Sequence, residues 1–384
     1  MVMTLSKAHN KATTLKQVAA EAGVSVQAAS HICNGKGQRY SPDTRQRVLA
    51  AAKQLQYQAN PLSRALLSGR SMSIGLVTGG LTNLLAVRYV QSMINSADSA
   101  GYLTYLNAGY HTGDDTEELF RTVRDMIGRR VDGLIMYRGR SVPESICKWL
   151  REQSVPTVFL GWAPSGWNAR IRIDRQPALD AMVDHLAELG HTRAAFIPSR
   201  NAWDFPDMMI RPYARTCKKA GISLQVSKRW CLDPDSEYGE SARDVVKQFL
   251  RANPATTALL MNNDDGAIGA MAAARELGLS VPDDLSIVGH DDLACARLCL
   301  PALTTFRIDG HRVGVEAFAM LHTLMKQPKT EVKTITLNVE PVFRQSTGPA
   351  PSDYKYLVEP QEQRRVEGTC MAEDDFDVLR QKNQ

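Results

Sequence analysis

Between residues 73 and 289, short apolar runs return at intervals that leave room for a helix between them: SIGLV at 73, LTYLN at 103, DGLIMY at 132, TVFLG at 157, AAFIP at 194, ALLMN at 258 and LSIVG at 285. A strand that is apolar on both faces must be covered on both faces, and helical crossovers provide that cover. The pattern therefore predicts parallel sheets flanked by helices, an α/β architecture. Such sheets bind ligands in the crevice beyond the carboxyl ends of their strands, so the polar residues just after each run become pocket candidates. Two runs stand out. ALLMN closes on Asn262-Asn263-Asp264-Asp265, and LSIVG is followed by His290-Asp291-Asp292.

The first 60 residues follow a different rule. Leu15, Val18, Ala19 and Ala22 recur at three- and four-residue intervals, with Thr13 or Thr14 placed to cap the free N–H groups of a short helix. Gly23 suits the positive φ of a helix C-terminus, Val24 plugs the corner, and Ser25 caps a second helix from Val26 to about Cys33. A third helix starts at Ser41-Pro42-Asp43, with a serine cap, a proline at its first position and an acid in its first turn, and runs through Val48, Leu49, Ala52 and Leu55. These form a tight helix-turn-helix with a supporting third helix.

Charge assigns this head a partner. Residues 1–70 carry ten Lys/Arg against two acids, a balance of +8, while the rest of the chain holds 36 bases and 39 acids, a balance of −3. A basic head on a slightly acidic body is the footprint of a polyanion-binding module. In a helix-turn-helix, the second helix enters the major groove of double-stranded DNA with its early residues facing base edges. Val26, Gln27 and His31 are the base-reading candidates: Gln27 matches an adenine edge, Val26 a thymine methyl, and His31 a base or phosphate one turn later. Thr14, Ser25, Ser30, Asn34, Arg39, Tyr40 and Ser41 suit phosphates, which position without reading sequence.

The run TLKQVAAEAGVSVQAASHICNGKG, continued by YSPDTRQRVLAAAKQLQYQANPLSRALLSGRSMSIGLV, resembles the N-terminal signature of the LacI family of bacterial transcription regulators over about 65 positions. NNDDGAIGAMAAARELGLSVPDDLSIVGHDD followed by PALTTFR is similar to the family's effector-domain signature, and matches continue to about residue 348. The resemblance implies a two-lobed core of the periplasmic-binding-protein type behind an all-α helix-turn-helix head. It divides the chain into a DNA-binding domain (12–58), a hinge helix or linker (59–70), an effector-binding and dimerisation domain (71–347) and an acidic, disordered tail (348–384). It also implies three crossings between the lobes, near residues 172, 307 and 329. In the hinge, Leu66 would wedge into the minor groove, with Asn60 and Arg64 as neighbouring contacts. Relatives often carry arginine at the position of His31, where it pairs with guanine.

Carried over by position, Asn263, Asp291 and Asp174 would contact the effector. Two departures bear on that ligand. Many relatives have an arginine four residues before an aromatic, gripping sugar hydroxyls or a purine; counting back from Tyr213 gives Met209, and Arg211 lies two residues on, about 200° around a helix. The N-P-F-F motif after the first strand reads Asn83-Leu84-Leu85-Ala86, so Leu85 replaces an aromatic that stacks on ligand, and Trp162, Trp167, Trp203 and Phe205 are the alternative stacking faces. A sugar or sugar derivative is the expected effector, and a less usual small metabolite the second choice.

The function implied is a cytoplasmic repressor that binds a near-palindromic operator as a homodimer, without cofactor or metal and away from membranes. No stretch approaches the roughly 18 apolar residues that span a bilayer, and the N-terminus lacks the apolar run of a secretory signal. Seven scattered cysteines show no metal-site spacing and read as reduced thiols; Cys295 and Cys299 share a helix face without further ligands nearby. An enzyme built on Asp264, Asp265, Asp291 and Asp292 finds no nucleophile motif or phosphate loop to support it. A transport-type binding protein shares the body but not the basic head.

Overall fold

The computed structural model describes residues 13–57, 69–79, 81, 83–109, 116–138, 142–200, 202, 206–233 and 238–352. The expected hinge residues Asn60, Arg64 and Leu66, the expected stacking residues Trp203 and Phe205, and residues 353–384 lie outside them. The head consists of α1 (Leu15–Glu21), α2 (Val26–Cys33), a 3-10 turn (Gly37–Arg39) and α3 (Pro42–Gln54). Of the two threonines, Thr14 is the N-cap of α1, while the Thr13 hydroxyl donates to Leu55 O at 2.8 Å and ties the chain start to the end of α3. Ser25 accepts from Ala28 N at 3.1 Å, and Ser41 from Thr44 N at 3.2 Å. Gly23 takes φ +65°, turning the chain between α1 and α2. Val18, Ala19, Ala22, Ala29, Ile32, Val48 and Ala51 form the head's own core, whereas Leu49 faces solvent.

The body contains two parallel sheets. In the first lobe, β1 (Ser73–Thr78), β2 (Leu103–Asn107), β3 (Gly133–Arg138), β4 (Thr157–Gly161), β5 (Arg170–Asp174) and β11 (Ile335–Asn338) are arranged β11-β5-β4-β3-β1-β2. In the second, β6 (Arg193–Ile197), β7 (Ser223–Gln225), β8 (Ala258–Met261) and β9 (Ser286–Val288) are arranged β7-β6-β8-β9. The seven apolar runs of the sequence all form strands. Helices α4 (Leu84–Ser99), α5 (Thr116–Gly128), α6 (Glu144–Glu152) and α12 (Gly310–Lys326) belong to the first lobe. The second has α7 (Gln176–Glu188), α8 (Ile210–Lys219), α9 (Tyr238–Ala252), α10 (Asp264–Glu276) and the short α11 (Ala294–Leu298).

The chain crosses between lobes three times. It leaves β5 for α7 at residues 174–176 and passes from β10 (Thr305–Arg307) to α12 at 307–310. The third crossing, expected near residue 329, lies at 338–340 instead. After α12 the chain first adds β11 to the edge of the first sheet, parallel to β5, and only then returns through β12 (Glu340–Val342), antiparallel to β10. The return is also longer than the sequence reading allowed. Gly348 N donates to Ser286 Oγ at 3.1 Å and Ala350 N to Leu189 O at 2.8 Å, so residues assigned to the tail are fastened to the second lobe.

Close approach of helix to helix depends on glycine in two places. A Cβ on Gly269 would lie 2.0 Å from Gly239 O, so α9 and α10 meet backbone to backbone, and one on Gly314 would lie 2.5 Å from Ser92 Cβ where α12 crosses α4.

Candidate functional site

On α2, the residues that face inward (Ala28, Ala29, Ile32) separate cleanly from those that face outward. Val26 and Gln27 are exposed at its N-terminal turn, and His31 is half-buried one turn on. His31 is held rather than free: its Nδ1 lies 3.1 Å from the Tyr40 hydroxyl and is also contacted by the Arg39 guanidinium, which donates to the same hydroxyl at 3.1 Å. Asn34 closes α2 by donating from Nδ2 to Ser30 O at 2.8 Å, so Ser30 and Asn34 are partnered to each other. Ser25, Arg39 and Ser41 are exposed around this face, and Thr14 lies at the start of α1, where Gln17 Oε1 accepts from its hydroxyl and its backbone N–H. The result is a helix N-terminus with an apolar and an amide side chain presented outward, flanked by hydroxyls and one guanidinium. That combination matches the base edges and phosphates of a DNA groove.

The second site lies between the lobes. A cavity of about 330 Å³ opens there, walled by Trp162 and Ile173 from the first lobe, Met209 and Tyr213 from the second, and residues of the β5–α7 crossing. Of the residues marked by sequence, Trp162, Asp174 and Met209 line it, whereas Trp167 packs on Phe159 and donates from Nε1 to Thr157 O at 3.1 Å. Leu85 is buried in the core at the start of α4, Arg211 pairs with Asp207 at 2.7 Å beside the cavity, and Asn263 and Asp291 lie deeper. Asn263 caps α10, accepting from Gly266 N at 2.8 Å. Asp291, in the left-handed backbone region at φ +119°, accepts from Asn83 Nδ2 at 3.1 Å, a bond that joins the two lobes across the cleft.

The polar floor of this cleft is under-satisfied. Ser199 Oγ, Asn263 Nδ2 and His290 Nδ1 follow the carboxyl ends of β6, β8 and β9. All three are buried without a hydrogen-bond partner among the described residues, as is the Tyr89 hydroxyl on α4. Buried polar atoms are normally paired, so a convergence of orphans at strand ends marks a place that water or a ligand completes. Burial also shapes the charges here. It pushes the Asp264 carboxyl up to about 7, although Thr305 Oγ1 and Leu293 N donate to it at 2.5 and 2.7 Å. Asp291 is raised well above the carboxylate range by burial and by neighbouring Asp264, and His290 is driven down to about 3 by burial and by Arg175. Burial acts to raise Asp292 too, yet bonds from Arg307 at 2.8 Å and Arg344 at 2.5 Å hold it below its ordinary value. Asp264 and Asp292 are thus engaged in local structural bonds, not arranged as an acid–base pair.

Sequence reading missed the cavity's cations. Arg170 and Arg172 on β5, Arg175 just after it and Arg215 on α8 all line the space. β5 reads Arg-Ile-Arg-Ile-Asp, and its signal is alternation, apolar on one face and charged on the other.

Residues 14–60 match the sequence profile described as bacterial regulatory proteins, lacI family, and residues 183–347 match that of a periplasmic binding protein-like domain. A transcriptional repressor of Photorhabdus laumondii, PurR, is 30% identical over 355 residues, covering 89% of this chain and 99% of its own length. The chain belongs to the LacI family. Among solved structures, the Lac repressor dimer bound to operator and the anti-inducer ONPF superposes with a TM-score of 0.78 at 26% identity, over 88% of this chain and 100% of that one. A complex of the transcriptional regulator CelR with cellobiose aligns with a TM-score of 0.61 at 25% identity, over 87% and 99%. This LacI-family chain is therefore a DNA-binding transcriptional regulator with a periplasmic-binding-protein-like effector domain. Among its described residues no helix is long and apolar enough to cross a membrane, and no group of side chains is placed to hold a metal ion.

Proposed function

We propose that the chain is a cytoplasmic transcriptional repressor that binds a near-palindromic double-stranded operator as a homodimer, with its affinity set by a small molecule held between the lobes. The observation that carries this reading is one chain joining an exposed α2 reading face to a cleft floored by orphaned polar atoms. Residues 12–58 read DNA, 59–70 form the hinge with Leu66 as the wedge, 71–347 bind effector and dimerise, and the acidic tail follows. Val26, Gln27 and His31 meet base edges, while Ser25, Arg39, Tyr40 and Ser41 meet phosphates. The similar Lac repressor was solved as a dimer on operator, and Leu298 and Leu300 project 81% and 93% exposed from the second lobe, an apolar pair that a second copy would cover. The effector is a polar metabolite, a sugar derivative for preference, whose hydroxyls reach Asp174, Asn263 and Asp291.

Linkage makes this testable without knowing the effector, since any change in lobe arrangement must alter operator affinity if the two are coupled. Asn83→Ser keeps a good cap for α4 but removes the bond to Asp291 across the cleft. It is expected to move the operator dissociation constant by about fivefold or more, in fluorescence anisotropy, without touching the head. Identical operator binding by wild type and variant would break the link between cleft and DNA.

A further inference from the structure

The cavity between the lobes is more cationic than a site for a neutral ligand requires. Four arginines line it, Arg170, Arg172, Arg175 and Arg215, against two carboxylates, Asp174 and Asp207. Both carboxylates are already paired: Asp174 with Arg172 at 3.1 Å, and Asp207 with Arg211, outside the lining, at 2.7 Å. The remaining three guanidiniums have no carboxylate partner among the described residues. Arg175 bonds the neutral His290 ring, Nε to Nε2 at 3.3 Å, and makes no ion pair among the described residues, although the buried Asp291 carboxyl feels its charge; Arg215 donates to the Gln176 side-chain carbonyl at 2.8 Å. Arg170 is the sharpest case, for its Nε is buried with no hydrogen-bond partner among the described residues.

A guanidinium withdrawn from water without an anion loses hydration that nothing replaces, and is stable only if another group compensates. Arg172 and Arg215 lie exposed at the rim, while Arg170 and Arg175 are half-buried inside, so the cations run from mouth to floor. Guanidiniums recognise carboxylates and phosphates through paired, charge-assisted hydrogen bonds. The facing walls are apolar, Trp162 and Met209 among them, and the volume of about 330 Å³ suits a metabolite, not a macromolecule.

We propose that the effector is a small organic anion, with its carboxylate or phosphate held by Arg170, Arg175 and Arg215 and its carbon skeleton against Trp162 and Met209. This rests on the reading of the cleft as the effector site and narrows it to a charge class. It also gives a physical meaning to Met209: the arginine that relatives place there is absent, and the positive charge arrives from β5 and from Arg215 on α8.

Isothermal titration of the full chain at matched ionic strength tests the assignment. Glucose 6-phosphate, gluconate, citrate and inorganic phosphate are set against glucose, ribose and adenine. At least one anion is expected to bind, and Arg170→Gln and Arg215→Gln each to weaken it about ten- to hundredfold. Arg170→Lys is expected to recover part of the loss, and Arg297→Gln, exposed on α11, to change nothing. Comparison of phosphate with carboxylate probes identifies which anion the site prefers. Absence of binding by every anion, or binding unaffected by Arg170→Gln and Arg215→Gln, overturns the proposal. A neutral probe that binds instead refutes the anion and leaves the effector cleft standing; that reading fails separately, on operator affinity unmoved by Asn83→Ser.

Discussion

At the residue scale, His31 shows how a local contact sets a chemical identity. Tyr40 and Arg39 both approach Nδ1, so in the neutral ring Nδ1 accepts and the proton sits on Nε2. The ring then offers a donor outward, suited to an acceptor on a base edge, where arginine in relatives would offer two. His31→Ala is expected to weaken operator binding about tenfold and to relax discrimination at one base position, as read by anisotropy on single-substituted operators. His290 makes a different prediction. Burial holds it neutral, with a folded value of about 3 against 6.5 for a free histidine, so the unfolded chain binds a proton that the fold refuses. Its contribution is present above pH 6.5 and is lost as the pH falls toward 3, at a slope of at most about 1.4 kcal/mol per pH unit. His290→Asn is expected to show a shallower fall of Tm than wild type between pH 7 and 5. Parallel falls would show that His290 does not drive that slope.

At the element scale, helices and central strands were legible because each carries a redundant signal. The head's caps at Ser25 and Ser41, its turn at Gly23 and the spacing of Val18, Ala19 and Ala22 all agree with one arrangement. The strands read from continuous apolar runs are β1, β3, β4, β6 and β8 from the sheet interiors and the edge strands β2 and β9. What escaped were β5, β7, β10, β11 and β12, which are short or alternate in polarity because one face is wet or they lie at sheet edges. That gap explains why the cavity arginines were not foreseen: two of them are the charged face of β5. The third crossing, carried over from the resemblance, likewise fell N-terminal of β11, which no continuous apolar run announces. Helix contacts are similarly silent in sequence, since Gly269 announces nothing about the Gly239 carbonyl across from it. Gly269→Ala is expected to cost about 1–3 kcal/mol by overpacking α9 against α10, visible as a lower Tm; an unchanged Tm would mean the helices can separate freely.

At the scale of the whole molecule, a head with its own small core is joined to a two-lobed body whose lobes are bridged by Asn83–Asp291 and Arg175–His290. The carboxylates Asp264 and Asp292, for which the sequence offered no catalytic motif, fasten the second lobe around the cleft floor. Their role was illegible because adjacent acids read the same whether they hold a substrate, an arginine or a backbone N–H. Sequence placed the effector contacts at strand ends, and the orphaned polar atoms do gather there, but the open volume is displaced toward the β5–α7 crossing. The claim that unites head and body is that this chain reads a specific operator as a dimer. Selection of bound sequences from a random DNA pool with the full chain tests it most directly. The account predicts enrichment of a near-palindrome with half-sites about one helical turn apart and reduced binding of that sequence by Leu66→Ala; recovery of no enriched sequence would contradict it.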